Sequence, residues 1–146
     1  MKKIKYPKLY KNSKSRSGSF GTYIRFSKTK GIKILDSGTP LHRVKKEIKN
    51  IQYAFEKGVG PKFYSLVRIV KKIAGIIEGK EYGIIMEHLN GKHKSHVDAC
   101  QIEKELREKG IYFRDAHNEN VMFFKNGTYK ICDFTPGFFR ILRKRY

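Results

Sequence analysis

Tyr112 to Phe134 reads YFRDAHNENVMFFKNGTYKICDF, a stretch that sets Asp115, Asn120 and Asp133 beside apolar runs in an otherwise heavily basic chain. Residues 121–124 and 129–132 have the apolar, β-branched and aromatic content of short strands. Asn126-Gly127 between them is a pair that takes the left-handed backbone of a hairpin turn with little strain. Asp115 and Asn120, spaced D-x-x-x-x-N, therefore lie in a loop leading into a hairpin, and Asp133 lies just beyond its second strand. Taken singly, each is an ordinary turn or cap residue, because Asp and Asn bond readily to nearby backbone. Together, in this order, they offer what phosphoryl transfer demands: hard oxygen ligands for Mg²⁺ and a carboxylate to aim a hydroxyl.

Upstream, VDACQIEKELREKG (97–110) puts Val97, Ala99, Ile102 and Leu106 near one helical face before a glycine stop. Before it, the pattern is that of a sheet with one long helix. TYIRFS (22–27) and IKIL (32–35) read as two antiparallel strands, and residues 63–70, 73–78 and 82–89 as three more, the last two joined by a turn at GKE (79–81). Between these groups, SGTP (37–40) places Thr39 as an N-cap and Pro40 at the first helical position. Leu41, Val44, Ile48, Ile51 and Phe55 then form an apolar stripe that Gly58 terminates. KNSKSRSGS (11–19) reads as a mobile entry, and GFFRILRKRY (137–146) as a short basic helix or an irregular tail. In the helical case Phe138, Phe139, Ile141 and Leu142 close the core, with Arg140, Arg143, Lys144 and Arg145 outward.

Composition bounds the function classes. The 146 residues, 39% hydrophobic with ten Phe and nine Tyr, suffice for a single folded domain and exclude disorder through want of core material. No run approaches the roughly 20 apolar residues of a membrane span, and the basic N-terminus lacks the apolar centre of a signal peptide, so a cytoplasmic protein is expected. Cys100 and Cys132, without a CxxC or clustered histidines, suggest neither a disulfide framework nor zinc, and read as small buried residues. The net charge of +20 favours polyanions: nucleic acid, nucleotide phosphates, acidic lipid or an acidic protein.

FRDAHNENVMF resembles the catalytic loop of the protein-kinase-like superfamily, and ICDFTPG resembles its magnesium-binding Asp-Phe-Gly segment. The resemblance implies a two-lobed α+β fold, with an N-terminal antiparallel sheet and one long helix (1–89, hinge included) and a severely truncated C-terminal lobe (90–146). It makes Asp115 the catalytic base or hydroxyl-orienting acid, and Asn120 and Asp133 the magnesium ligands. Upstream, SGSFGTY (17–23) is similar to the phosphate-covering loop, with Gly18, Ser19 and Gly21 approaching phosphate. Lys33 matches the strand lysine that holds the α- and β-phosphates, with Glu47 as its helix partner. GIIMEHLNG (83–91) looks like the interlobe hinge, Glu87 to Leu89 offering backbone groups to adenine. His117, two residues after Asp115, gives Asp-x-His-x-x-Asn, similar to aminoglycoside and choline phosphotransferases and other small atypical kinases of the RIO type. The resemblance thus implies an ATP- and Mg²⁺-dependent kinase acting on a hydroxyl of a protein or small molecule, with an acidic partner or a second copy completing the lower lobe. A basic nucleic-acid-binding module and a partner-dependent nucleotide-binding regulator are the alternatives.

Overall fold

Ile24, Ile32, Ile34, Val67 and Ile69 are all buried, with Ile4, Phe26 and Ile85 packed against them, and their spacing by two along each strand puts them on one face of a sheet. In this computed structural model residues 1–18, 20–114, 116–117 and 119–142 are described, with the backbone alone for Lys72, Ile73, Ile77, Glu78 and Lys80. The chain divides into two units, Met1–Lys45 with Phe63–His88 and Lys46–Lys62 with Leu89–Tyr146.

The first unit is a six-stranded sheet built from β1 (Lys2–Lys5), β2 (Arg16–Gly18), β3 (Gly21–Arg25), β4 (Lys30–Leu35), β5 (Phe63–Ile73) and β6 (Ile76–Glu87), in the order β1-β5-β6-β4-β3-β2. The antiparallel pair expected at 22–27 and 32–35 is present as β3 and β4. Two expectations are corrected. The N-terminal segment supplies two edge strands, and β1 runs parallel to β5, so the sheet is mixed. The three strands expected over 63–89 are two long ones, because the chain reverses at Ala74 and Gly75, both at positive φ. The GKE segment placed at a turn lies inside β6.

Helix α1 (Leu41–Glu56) begins in the first unit and continues in the second. Thr39 does not cap it: its hydroxyl donates to the Asp36 carbonyl (2.7 Å), while the first helical N–H groups, of Arg43 and Val44, reach the Pro40 carbonyl. The helix ends as expected at Gly58 (φ 76°), with Val59 N–H bonding Ala54 O and Gly58 N–H bonding Phe55 O, a Schellman closure. The buried stripe is Val44, Glu47, Ile48, Asn50, Ile51 and Ala54; Phe55, expected on it, is exposed because the 3.6-residue period hands that place to Ala54.

The second unit continues with α2 (Ala99–Glu108), β7 (Ile111–Phe113), β8 (Val121–Phe123), β9 (Tyr129–Ile131) and β10 (Phe139–Ile141). Asp98 Oδ1 accepts the Gln101 N–H and so caps α2, whose buried face is Ile102 and Leu106. The hairpin β8–β9 closes through Gly127 at φ 83°, with Asn126 Oδ1 accepting from Thr128 N–H and Oγ1. The terminal helix expected at 137–146 is corrected. Residues 139–141 pair antiparallel with β7, burying Phe139 against Phe113 and Phe134 while Ile141 and Leu142 stay exposed; Arg143, Lys144 and Arg145 lie outside the described residues. Both cysteines, expected inside, are exposed. No helix among the described residues is long and apolar enough to cross a membrane.

Candidate active site

The β8–β9 ladder does more than form a hairpin. Beyond the pair Val121–Ile131, Cys132 N–H donates to Asn120 O (2.8 Å), so Asn120 occupies the next rung and Asp133 follows it by one residue. Residues thirteen apart in sequence are thus held side by side at the open end of one hairpin. Asp133 Oδ1 accepts both the Thr135 N–H (3.0 Å) and the Thr135 hydroxyl (2.6 Å). Its other oxygen, Oδ2, takes no hydrogen bond among the described residues. Thr135, where the family pattern has glycine, therefore orients the carboxylate from a buried position.

Asn120 is tied to His117 twice, its N–H donating to His117 O (3.0 Å) and its Nδ2 lying 2.9 Å from His117 Nε2, while His117 Nδ1 lies 3.1 Å from the Glu119 N–H. A neutral imidazole accepts at only one ring nitrogen, so the tautomer of His117 and the orientation of the Asn120 carboxamide are set together. Asp115 lies outside the described residues. The backbone on either side of it is anchored: Arg114 N–H donates to Phe138 O (2.9 Å), and Ala116 is buried.

Asn50 escapes motif reading. It is buried, and its Nδ2 donates to Phe134 O (3.0 Å) and Phe139 O (3.3 Å), pinning the backbone directly after Asp133 to α1. A second tie comes from Ile131 N–H to Val59 O (2.8 Å), just past the end of α1. The signal available in sequence was periodicity: three residues after Glu47 and four before Ala54, Asn50 falls on the buried stripe, where a polar group needs partners. Glu47 itself is buried, inside the stripe where only its border was expected.

In the first unit Lys33 is half-buried on β4, paired in register with Tyr23 and Ile84. Gly18 and Gly21 are register partners at the tip of the β2–β3 hairpin, and a side chain on Gly21 would strike the Ile34 carbonyl, so this glycine also serves close strand packing. Ser19, expected among the phosphate contacts, lies outside the described residues. Glu87 ends β6 opposite Lys30; His88 N–H donates to Thr29 O (2.8 Å), and Leu89 opens the second unit's later segment. Burial, and after it the Arg25 charge, holds the His88 imidazole below its ordinary pKa of 6.5.

Neither a family model nor a curated protein matches the chain. Solved structures do. A high-resolution (2.2 Å) crystal structure of WbdD superposes with a TM-score of 0.55 at 16% identity, covering 90% of this chain and 33% of that one. A co-crystal structure of WbdD with the kinase inhibitor LY294002 gives 0.52 at 16%, covering 86% and 32%. The fold is kinase-like. This chain spans about a third of the length of the WbdD chains it matches.

Among the described residues no group of three or more His, Cys, Asp or Glu gathers as a metal cage. Mg²⁺ rarely uses one, taking one or two carboxylates and completing its shell with water and substrate phosphate. A carboxylate with one oxygen clear of hydrogen bonds, beside a carboxamide on the adjoining rung, fits that donor chemistry.

Proposed function

We propose that the protein is an ATP- and Mg²⁺-dependent phosphotransferase that moves the γ-phosphate to a hydroxyl of a protein or small-molecule acceptor. The observation that carries the proposal is the rung on which Asn120 and Asp133 are held together within a kinase-like fold, with Asp133 oriented by Thr135.

In this reading Asp133, through Oδ2, and Asn120, through its carboxamide oxygen, would hold the magnesium, which when bound supplies charge neutralisation on the phosphates. His117 fixes the Asn120 side chain, Thr135 that of Asp133, and Asn50 the backbone between Asp133 and β10. Asp115 orients the acceptor hydroxyl and takes its proton as the oxygen–phosphorus bond forms. Lys33 contacts the α- and β-phosphates, Glu47 keeps the role of the helix carboxylate, and the glycines at 18 and 21 admit phosphate oxygens close to backbone N–H groups. Positioning and charge stabilisation provide most of the rate.

Purified protein incubated with γ-labelled ATP and Mg²⁺, with and without candidate acceptors, tests this directly. Label appears on the protein or an acceptor, and neither Asp115→Asn nor Asp133→Ala transfers it. Undiminished transfer by Asp133→Ala would sink the assignment.

A further inference from the structure

Tyr23 and Lys33 are register partners on β3 and β4, so their side chains leave the same face of the first unit's sheet. Tyr23 does not stand upright beside the lysine. A methyl group built on Gly31 would overlap the Tyr23 hydroxyl and the ring carbon bearing it, so the phenol lies flat across Gly31, the next residue of β4 on that face. Its hydroxyl meets His88 Nδ1 at 2.8 Å, and the two rings stack with centroids 5.9 Å apart and planes inclined by 20°. The ring thus runs from β3 over β4 to the residue that follows β6.

Only glycine at position 31 permits this arrangement, and it leaves both aromatic rings half-buried. The place is suggestive: Gly31 lies two residues, about 7 Å, along β4 from Lys33. A ligand phosphate held at Lys33 therefore leaves an attached base within reach of the ring. Edge recognition is weakened here at the same time, because the His88 N–H is already engaged by Thr29 O.

We propose that Tyr23, laid across Gly31 and tied to His88, is a stacking plate for the base of the nucleotide, so that this chain selects nucleoside triphosphates over bare polyphosphate. The inference rests on the phosphotransferase reading and adds a specificity residue to it. Stacking of a base on an aromatic side chain accounts for about tenfold or more in affinity.

Equilibrium binding of Mg-ATP and of Mg-tripolyphosphate tests it, with wild type, Tyr23→Phe and Tyr23→Ala. Tyr23→Ala weakens ATP binding about tenfold or more and leaves tripolyphosphate within about twofold. Tyr23→Phe, which keeps the ring and loses the bond to His88, shows a smaller loss of the same kind. If Tyr23→Ala does not fold, Tyr23→Leu, filling the space without an aromatic face, takes its place with the same expectation. Wild-type affinity for ATP in the non-aromatic variant, a gain in affinity, or an equal loss for both ligands overturns the inference alone. Binding of neither ligand by wild type overturns the phosphotransferase reading and the inference with it.

Discussion

The two units hold their candidate residues by different means. In the first, Lys33 sits on a ladder of six strands, and repeated backbone hydrogen bonds fix its place. In the second, the strands are three residues long, and Asn120 and Asp133 depend on a handful of side-chain bonds from His117, Thr135 and Asn50. Long ladders spread the cost of any one change over many bonds; short ones concentrate it. Polar substitutions should therefore be costly in the second unit and mild in the first.

The largest effect is expected at Asp133. Asp133→Ala removes a carboxylate that balances charge at the phosphates and should lower turnover by about 10²–10³-fold, measured as steady-state phosphate transfer with circular dichroism unchanged. Asn50→Ala comes next. It orphans two buried carbonyls, so chemical denaturation should show a loss of about 1–3 kcal/mol. As a residue acting behind the metal ligands it should also raise the Mg²⁺ concentration for half-maximal rate by about 10–100-fold. Were both quantities unmoved, the contrast between the units would collapse.

Tyr129→Phe should cost less, under about 1 kcal/mol, because the bond it removes, to Glu105 Oε2 (2.8 Å), is only partly buried. Gln101 and then Tyr129 hold the Glu105 carboxyl below the usual range, while burial and then Glu105 push the Tyr129 phenol above its own. The lowered group contributes above the unfolded carboxylate pKa and loses its contribution as pH falls through the folded value. The raised one contributes below the unfolded phenol pKa and loses it as pH rises through the folded value. The stability gap between variant and wild type should accordingly be widest near neutrality and narrow at both extremes. The smallest effect belongs to the first unit. His88 is favoured neutral, so its contribution is complete above pH 6.5 and declines as pH falls through the lowered folded pKa; the melting-temperature profile of His88→Asn should be flatter than wild type below that pH.

Local signals carried much of this. The period of α1, its glycine stop and the Asn126-Gly127 hairpin are written in adjacent residues, and those elements stand where the pattern put them. The ordered spacing of Asp115, Asn120 and Asp133 pointed to a kinase-like fold before any coordinates were at hand. What was missed depends on partners remote in sequence. β1 carries a single apolar residue, Ile4, and exists because β5 offers it an edge. The reversal at Ala74 uses a backbone conformation that alanine seldom adopts. β10 forms only because β7 lies open to pairing, which no periodicity reveals. Asn50 and Tyr23 look like ordinary helix and strand residues until Phe134 and Gly31 are beside them.

Calorimetric titration of wild type and Asp133→Ala with ATP, each with Mg²⁺ and with the metal chelated, addresses the central claim most directly. Wild type should bind ATP more tightly with Mg²⁺ than without it, and Asp133→Ala should lose that difference while retaining its fold. ATP affinity indifferent to Mg²⁺ in wild type, or a metal dependence that persists in Asp133→Ala, would contradict the role given to Asp133 and the rung it shares with Asn120.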